Sequence, residues 1–281
     1  MRWWKRGRLF WVYVKKKTFP TFSKSSIKSK PNGSKAIKTF LIALQFLTSI
    51  TISRRFFVEF KELTASLAYF PSIGLIIGGL LFGFDRLVAL FWQADIRAVL
   101  DVIALILLTR GLHLDGLSDT MDALGSNAPR ENALTIMKDS RIGAFGAMAL
   151  VMCLLLKVRC LEAISGKGLW QAMVMTPCLS RWGLHVLASF SVYARKEGGL
   201  GEAFVGRNTF ATLPWAGLTA AIASFVLCDW RGILLFLGTS VFSWLMAIFF
   251  RKRLGGVTGD VLGAHLEWTE AGIFCIFAGM I

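Results

Sequence analysis

Charge is what this chain has least of. Only 17% of its 281 residues are Asp, Glu, Lys or Arg, against 55% hydrophobic, and its mean hydropathy is +0.59. A soluble domain of this length carries about a quarter charged residues. A water-exposed globule is therefore excluded, and most of the chain must face lipid or other apolar helices. Acid is scarcest at the start, where no Asp or Glu precedes Glu59 while eleven Lys and Arg fall between Arg2 and Lys35. Removing those eleven from the formal net charge of +15 leaves 21 basic against 17 acidic residues, or +4. The basicity belongs to one tail without a folded basic module or stacking platform, which argues against nucleic acid as a partner. Three histidines are too few for a His-rich metal centre. The five cysteines lie scattered in apolar runs with no Cys-x-x-Cys pair, and read as small buried hydrophobes. No Walker loop, Rossmann fingerprint or Gly-x-Ser-x-Gly elbow occurs in a supporting context, and no internal repeat is visible.

What is present starts with an extension, residues 1–35. Trp3, Trp4, Phe10, Trp11 and Tyr13 stand among its first basic residues, a mixture suited to an anionic headgroup zone. Thr18 to Ser34 reads as a flexible linker. The apolar stretch is short and no small-residue cleavage site follows it, so no cleavable signal is expected. Apolar segments then run at 36–52, 64–92, 96–112, 143–164, 170–192, 211–228, 231–250 and 261–281. Several are near the ~20 residues that span a bilayer. The expected fold is all-α: a polytopic membrane bundle of about six to eight transmembrane helices, with 36–281 as one catalytic domain. A basic N-terminus should be cytoplasmic. Simple alternation would then put Asp115 outside if both early segments crossed, so one of them is expected not to cross simply. The first segment is short and amphipathic.

Polar stretches at 113–141, 193–209 and 251–260 must carry the chemistry. The first opens with Gly111-Leu-His-Leu-Asp-Gly-Leu-Ser-Asp-Thr-Met-Asp-Ala123. Asp115, Asp119 and Asp122 are spaced i, i+4, i+7 and share one helical face. Three like charges on one stripe repel unless a cation sits among them, or unless the face is simply solvated. Lys138, Asp139 and Arg141 follow before the next apolar span. Carboxylates followed by Lys and Arg are what a magnesium-bridged diphosphate needs, because hard oxygens hold the cation and Arg binds phosphate bidentately. An ordinary Asp139–Arg141 ion pair is the plainer alternative. Between Arg251 and Glu270, Gly255, Gly256 and Gly259 would let backbone amides approach an anion, with Thr258 or Asp260 as a helix cap. Asp260 and Glu267, again i, i+7, share a face. Arg181 lies inside an apolar span and must pair with an acid or bind phosphate; Arg195 follows it. His113 reads as a packing histidine rather than a general base.

The motif at 113–123 resembles the signature of the cobalamin synthase (adenosylcobinamide-GDP ribazoletransferase) family. Met137-Lys-Asp-Ser-Arg-Ile-Gly143 and Leu254-Gly-Gly-Val-Thr-Gly-Asp-Val-Leu-Gly-Ala264 resemble its other segments in order, as do Phe46-Leu-Thr48, Phe70-Pro71, Ser180-Arg181 and Tyr193-Ala-Arg195. The resemblance covers about 36–281. Where the family usually has Arg and Pro after Phe-Leu-Thr, this chain has Ser49 and Thr51, with Arg54 and Arg55 following. The resemblance implies a multi-pass enzyme of the bacterial cytoplasmic (inner) membrane. It would join adenosylcobinamide-GDP to α-ribazole or its 5′-phosphate and release GMP, using Mg²⁺. On this reading the metal sits on Asp115, Asp119 and Asp122. Lys138, Arg141, Arg181, Arg195, Gly255, Gly256, Thr258 and Gly259 meet phosphate, and Asp260 or Glu267 completes the shell or orients the nucleophile. A CDP-alcohol phosphotransferase is the nearest alternative, although its motif has Ala-Arg where this chain has Asp119-Thr120. A cation-coupled transporter is the other, weakened by the lack of a repeat. Homo-oligomerisation stays open.

Overall fold

The computed structural model describes residues 33–52, 58–164 and 168–280. The aromatic-basic start, nearly all of the linker, and Arg54 and Arg55 lie outside the described residues. In order the helices are α1 (Gly33–Leu47), α2 (Phe60–Ser66), α3 (Phe70–Val88), α4 (Ala94–Thr109), α5 (Leu112–Gly125), α6 (Arg130–Ile136), α7 (Ala144–Ala163), α8 (Leu169–Ser189), α9 (Leu213–Leu254) and α10 (Gly259–Gly279). A 3₁₀ turn, Leu67–Tyr69, joins α2 to α3. The described residues contain no strand, only an isolated parallel bridge between Tyr193 and Val257. The all-α membrane bundle expected from composition is what forms.

Local chemistry explains several boundaries. Glu59 and Glu62 form a capping box at the start of α2, prolines stand in the first turn of α3 and α9, and the Thr258 side chain caps α10. Four helical stretches are long and apolar enough to cross a membrane: Phe60–Val88, Ala144–Ala163, Leu213–Leu254 and Gly259–Gly279. The third, 42 residues, would be about 63 Å long if straight, twice a hydrocarbon core. It is not straight. Cys228 (φ −140°, ψ 20°) and Asp229 (φ 52°, ψ −142°) leave the helical region, and a Cβ on Gly232 would lie 1.9 Å from the Ser224 carbonyl oxygen. Residues eight apart in a continuous helix sit about 12 Å apart, so α9 is a tight helical hairpin. Trp182 of α8 packs between its arms, stacking on Phe236 at 5.2 Å, donating to Ser240 Oγ at 2.9 Å and touching Gly217. The apolar segments 211–228 and 231–250 are these two arms.

The helix of the first apolar segment has 15 residues, fewer than the ~20 that span a bilayer. Lys38 pairs with Glu62 at 2.6 Å, Phe40 meets Tyr69 and Phe46 stacks on Phe70, so α1 runs parallel to α2 and enters α3's flank. The helix α1 ends beside the 190–212 segment, with Phe46 and Phe204 ring centroids 4.6 Å apart and Ser49 N donating to Leu108 O at 2.6 Å.

Close helix contacts set the remaining directions. The glycines of α3 admit α8 backbone: Cβ atoms on Gly74 and Gly78 would fall 2.3 Å from Pro177 O and 2.5 Å from Met173 O. The pair α4–α5 makes one pass, interrupted where Arg110 (φ 58°) and Gly111 (φ 63°) turn left-handed, and runs antiparallel to α7. Residues 113–125, which by sequence form a polar stretch beyond the apolar run, thus continue that pass. Among the described residues, α2–α3, α4–α5, α7, α8, the two arms of α9 and α10 run alternately along the bundle. Their polar end gathers α5, α6, the start of α7, the 190–212 segment and the start of α10.

Candidate active site

The site is built on a crossing of α5 and α10. A Cβ on Gly116 would lie 2.6 Å from the Asp260 carbonyl oxygen, and one on Gly263 would lie 3.2 Å from His113. Only glycine permits this approach, which lays the start of α10 along the carboxylate-bearing helix. Asp115 is exposed and Asp119 half-buried. Asp122 is turned elsewhere. Its Oδ2 accepts from Gly143 N at 2.7 Å and its Oδ1 from Gly146 N at 2.8 Å, at the start of α7. Among the described residues no three His, Cys, Asp or Glu side chains converge as a single-ion site. The face shared through the i, i+4, i+7 spacing therefore reduces to the pair Asp115 and Asp119.

Next to them, Arg195 Nη2 donates to Asp260 Oδ2 at 2.7 Å, and Thr258 Oγ1 donates to the same oxygen at 3.3 Å. Backbone bonds hold this corner: Ala194 N to Val257 O and Val257 N to Val192 O, both 2.9 Å. Gly255 and Gly256 serve that turn, with φ 73° and 151°. A Cβ on Gly256 would lie 2.2 Å from Val192 O, and one on Gly255 would strike the Arg130 guanidinium. Gly256 and Thr258 are buried while Gly259 is exposed, with Gly201 packed close to its backbone. Tyr193 lies beside Arg195 and Asp260, and burial raises its phenol above the ordinary range. In the sequence Tyr193 stands out only as part of a motif, with no role attached.

At the mouth, Lys138 Nζ pairs with Glu197, and Arg141 grips Asp139 with Nη2–Oδ2 at 2.6 Å and Nε–Oδ1 at 3.1 Å. These pairs are solvent-exposed. The Lys138 ammonium holds the Glu197 carboxyl below its usual range.

Arg181 and Glu267 are not at this surface. Glu267 lies seven residues, about 10 Å, along α10 from Asp260. Both belong to a buried network: Lys157 Nζ bonds Glu267 Oε2 at 2.6 Å and Glu270 Oε2 at 2.5 Å, while Arg181 and Ser180 engage Glu270 Oε1. For Arg181 the structure realises pairing with an acid. Lys157 and Glu270 are members that the sequence reading does not single out. A signal exists, since a lysine inside the apolar run of α7 demands a partner just as Arg181 does. His113 is buried, as a packing histidine would be. Among the cysteines, Cys153, Cys160 and Cys178 are buried, and all five are free.

The hard oxygens of Asp115 and Asp119 suit magnesium, which is commonly held by one or two carboxylates with water and substrate phosphates filling the rest. Asp122 fits such a set less well because both its oxygens already accept amides.

The family model described as cobalamin-5-phosphate synthase matches residues 39–278. A relative from Acetivibrio thermocellus called adenosylcobinamide-GDP ribazoletransferase is 34% identical over 243 residues, covering 86% of this chain and 98% of the relative. Proteins of the same name from Geotalea daltonii and Pseudomonas putida are 36% and 37% identical, covering 85% and 83% of this chain and 96% and 95% of theirs. No solved structure matches. The chain belongs to the cobalamin-5-phosphate synthase family.

Proposed function

We propose that this chain is an adenosylcobinamide-GDP ribazoletransferase. It transfers the adenosylcobinamide-phosphate moiety from adenosylcobinamide-GDP to α-ribazole or its 5′-phosphate and releases GMP. A ribazole hydroxyl oxygen bonds to the phosphorus that carries the cobinamide, and the bond from that phosphorus to the bridging diphosphate oxygen breaks. The bridging oxygen leaves with GMP.

The observation that carries this reading is the glycine-mediated contact of Gly116 with Asp260. It brings the Asp115–Asp119 pair beside Arg195, Asp260 and the exposed Gly259 on one end of the bundle. Asp115 and Asp119 would hold Mg²⁺, which when bound neutralises charge on the diphosphate. Arg195, Lys138 and Arg141 each rest on a carboxylate in this structure, and substrate phosphate oxygens would take the place of Asp260, Glu197 and Asp139 as their acceptors. Such exchange gives each cation a phosphate partner and releases the carboxylate it rested on. Arg181 and Glu267 support the site from below. A CDP-alcohol phosphotransferase reading is not favoured.

The polar end carries Arg130, Lys138, Arg195, Lys196 and the run Arg251 to Arg253, which supports a cytoplasmic orientation for it in the bacterial inner membrane. The test is direct. Membranes containing the chain are supplied with adenosylcobinamide-GDP, α-ribazole and Mg²⁺, and GMP is measured. Release that does not exceed an Asp115→Asn control would overturn the assignment.

A further inference from the structure

The segment between α5 and α7, residues 126–142, carries Lys138 and Arg141 and leaves the bundle as an excursion through α6. Both of its ends meet at one side chain. Asp122, in the last turn but one of α5, accepts from the amides of Gly143 and Gly146 at 2.7 and 2.8 Å. Gly143 is the residue preceding α7 and Gly146 its third residue, and each donates an amide that an α-helix leaves without an internal partner. The Gly143 side chain position is filled by the carboxylate, since a Cβ there would lie 2.4 Å from Asp122 Oδ1. At Gly146 a Cβ would lie 2.5 Å from Asp122 Oδ2 and 2.5 Å from Ser118 Oγ. Two glycines thus clear a seat for one carboxylate, which closes the excursion.

We infer that Asp122 is a positioning residue for phosphate recognition: it clamps the start of α7 onto α5 and so fixes the excursion bearing Lys138 and Arg141. This inference rests on the ribazoletransferase reading, and it removes Asp122 from the metal-ligand set. A carboxylate with both oxygens facing amide donors tolerates neither an amide side chain nor a displaced α7. Asp122→Asn would turn one N–H₂ group against a backbone N–H.

The test uses the purified chain in detergent micelles and in liposomes. Trypsin cleavage after Lys138 and Arg141 should be about tenfold faster in Asp122→Asn, the loss expected when a helix cap is removed. KM for adenosylcobinamide-GDP should rise by a similar factor, while the Mg²⁺ concentration giving half-maximal activity stays where it is in the native chain. Gly143→Ala leaves the carboxylate chemically intact but pushes it out of its seat, and should reproduce the faster cleavage. Native cleavage rates in both variants would overturn the inference. So would a roughly tenfold shift in the Mg²⁺ requirement of Asp122→Asn with KM unchanged, which is the signature of a lost metal ligand. Absence of GMP release by the native chain would sink the enzymatic reading alone, because the cleavage comparison does not need activity.

Discussion

Gly116 and Asp260 meet backbone to side-chain position, with only 2.6 Å between where a Gly116 Cβ would stand and the Asp260 carbonyl oxygen. Real Cβ atoms do not come so close to a carbonyl. Gly116→Ala must separate α5 from α10, and overpacking of this kind costs about 1–3 kcal/mol. The expected outcome is a folded membrane protein with activity reduced by at least about tenfold. Native kinetics in Gly116→Ala would show that the crossing does not set the catalytic geometry.

Asp115→Asn and Asp119→Asn should each lower kcat by about 10²–10³, the range seen when one charge-stabilising group is lost. Both should raise the Mg²⁺ concentration needed for half-maximal rate, and a chelator should abolish native activity reversibly. If the Mg²⁺ dependence of both variants matches the native curve, the pair does not hold the ion.

Lys157 balances two carboxylates in a site that is 3% exposed or less for its own side chain and Glu270's. Removing one partner of a buried pair costs about 3–5 kcal/mol because a charge is left uncompensated. Lys157→Met should therefore destabilise strongly in a thermal unfolding assay, and the double variant with Glu267→Gln should recover part of the loss. Equal melting temperatures for native and Lys157→Met would show the network to be energetically idle.

The course of α4–α5 is open to labelling. In a background with the native cysteines replaced, a cysteine at Asn127 should react with an impermeant maleimide from one membrane side and one at Gln93 from the other. Asn127 and Gln93 reacting from one side would refute the pass.

Glu197 is ionised against Lys138 at the exposed mouth, and its depressed carboxyl favours the pair above the ordinary Glu range, losing it as pH falls through the folded value. Surface pairs of this kind contribute little to stability. Glu197→Gln should leave stability nearly unchanged while lowering KM for the diphosphate substrate, since one competing anion is gone. A raised KM would argue that Glu197 places Lys138 rather than competes for it.

Much of the fold and of the site is legible in the amino-acid sequence. Apolar run lengths anticipate the long helices, and the Gly-Asp-rich motif falls on α5. Long-range pairing is what a sequence does not display. Lys157 and Glu267 are 110 residues apart, so no local spacing signals that they meet. The role of Asp122 is hidden for the same reason: its partners, Gly143 and Gly146, offer only backbone amides, which every residue but proline possesses. Nor does composition give the direction of α1, which the contacts of Lys38 with Glu62 and of Phe46 with Phe70 reveal.

The left-handed pair at Arg110 and Gly111 has an electrical consequence. Had residues 94–125 formed one rod, Asp115 would sit well inside it, far from either pole. The interruption makes Leu112 a new beginning, and Asp115 falls in the first turn of α5. Peptide dipoles summed from there direct positive potential at that carboxylate, an effect of about 0.3–1 kcal/mol that grows where water is sparse. Two residues of reversed handedness thus place the Asp115 carboxylate at the positive end of a helix dipole.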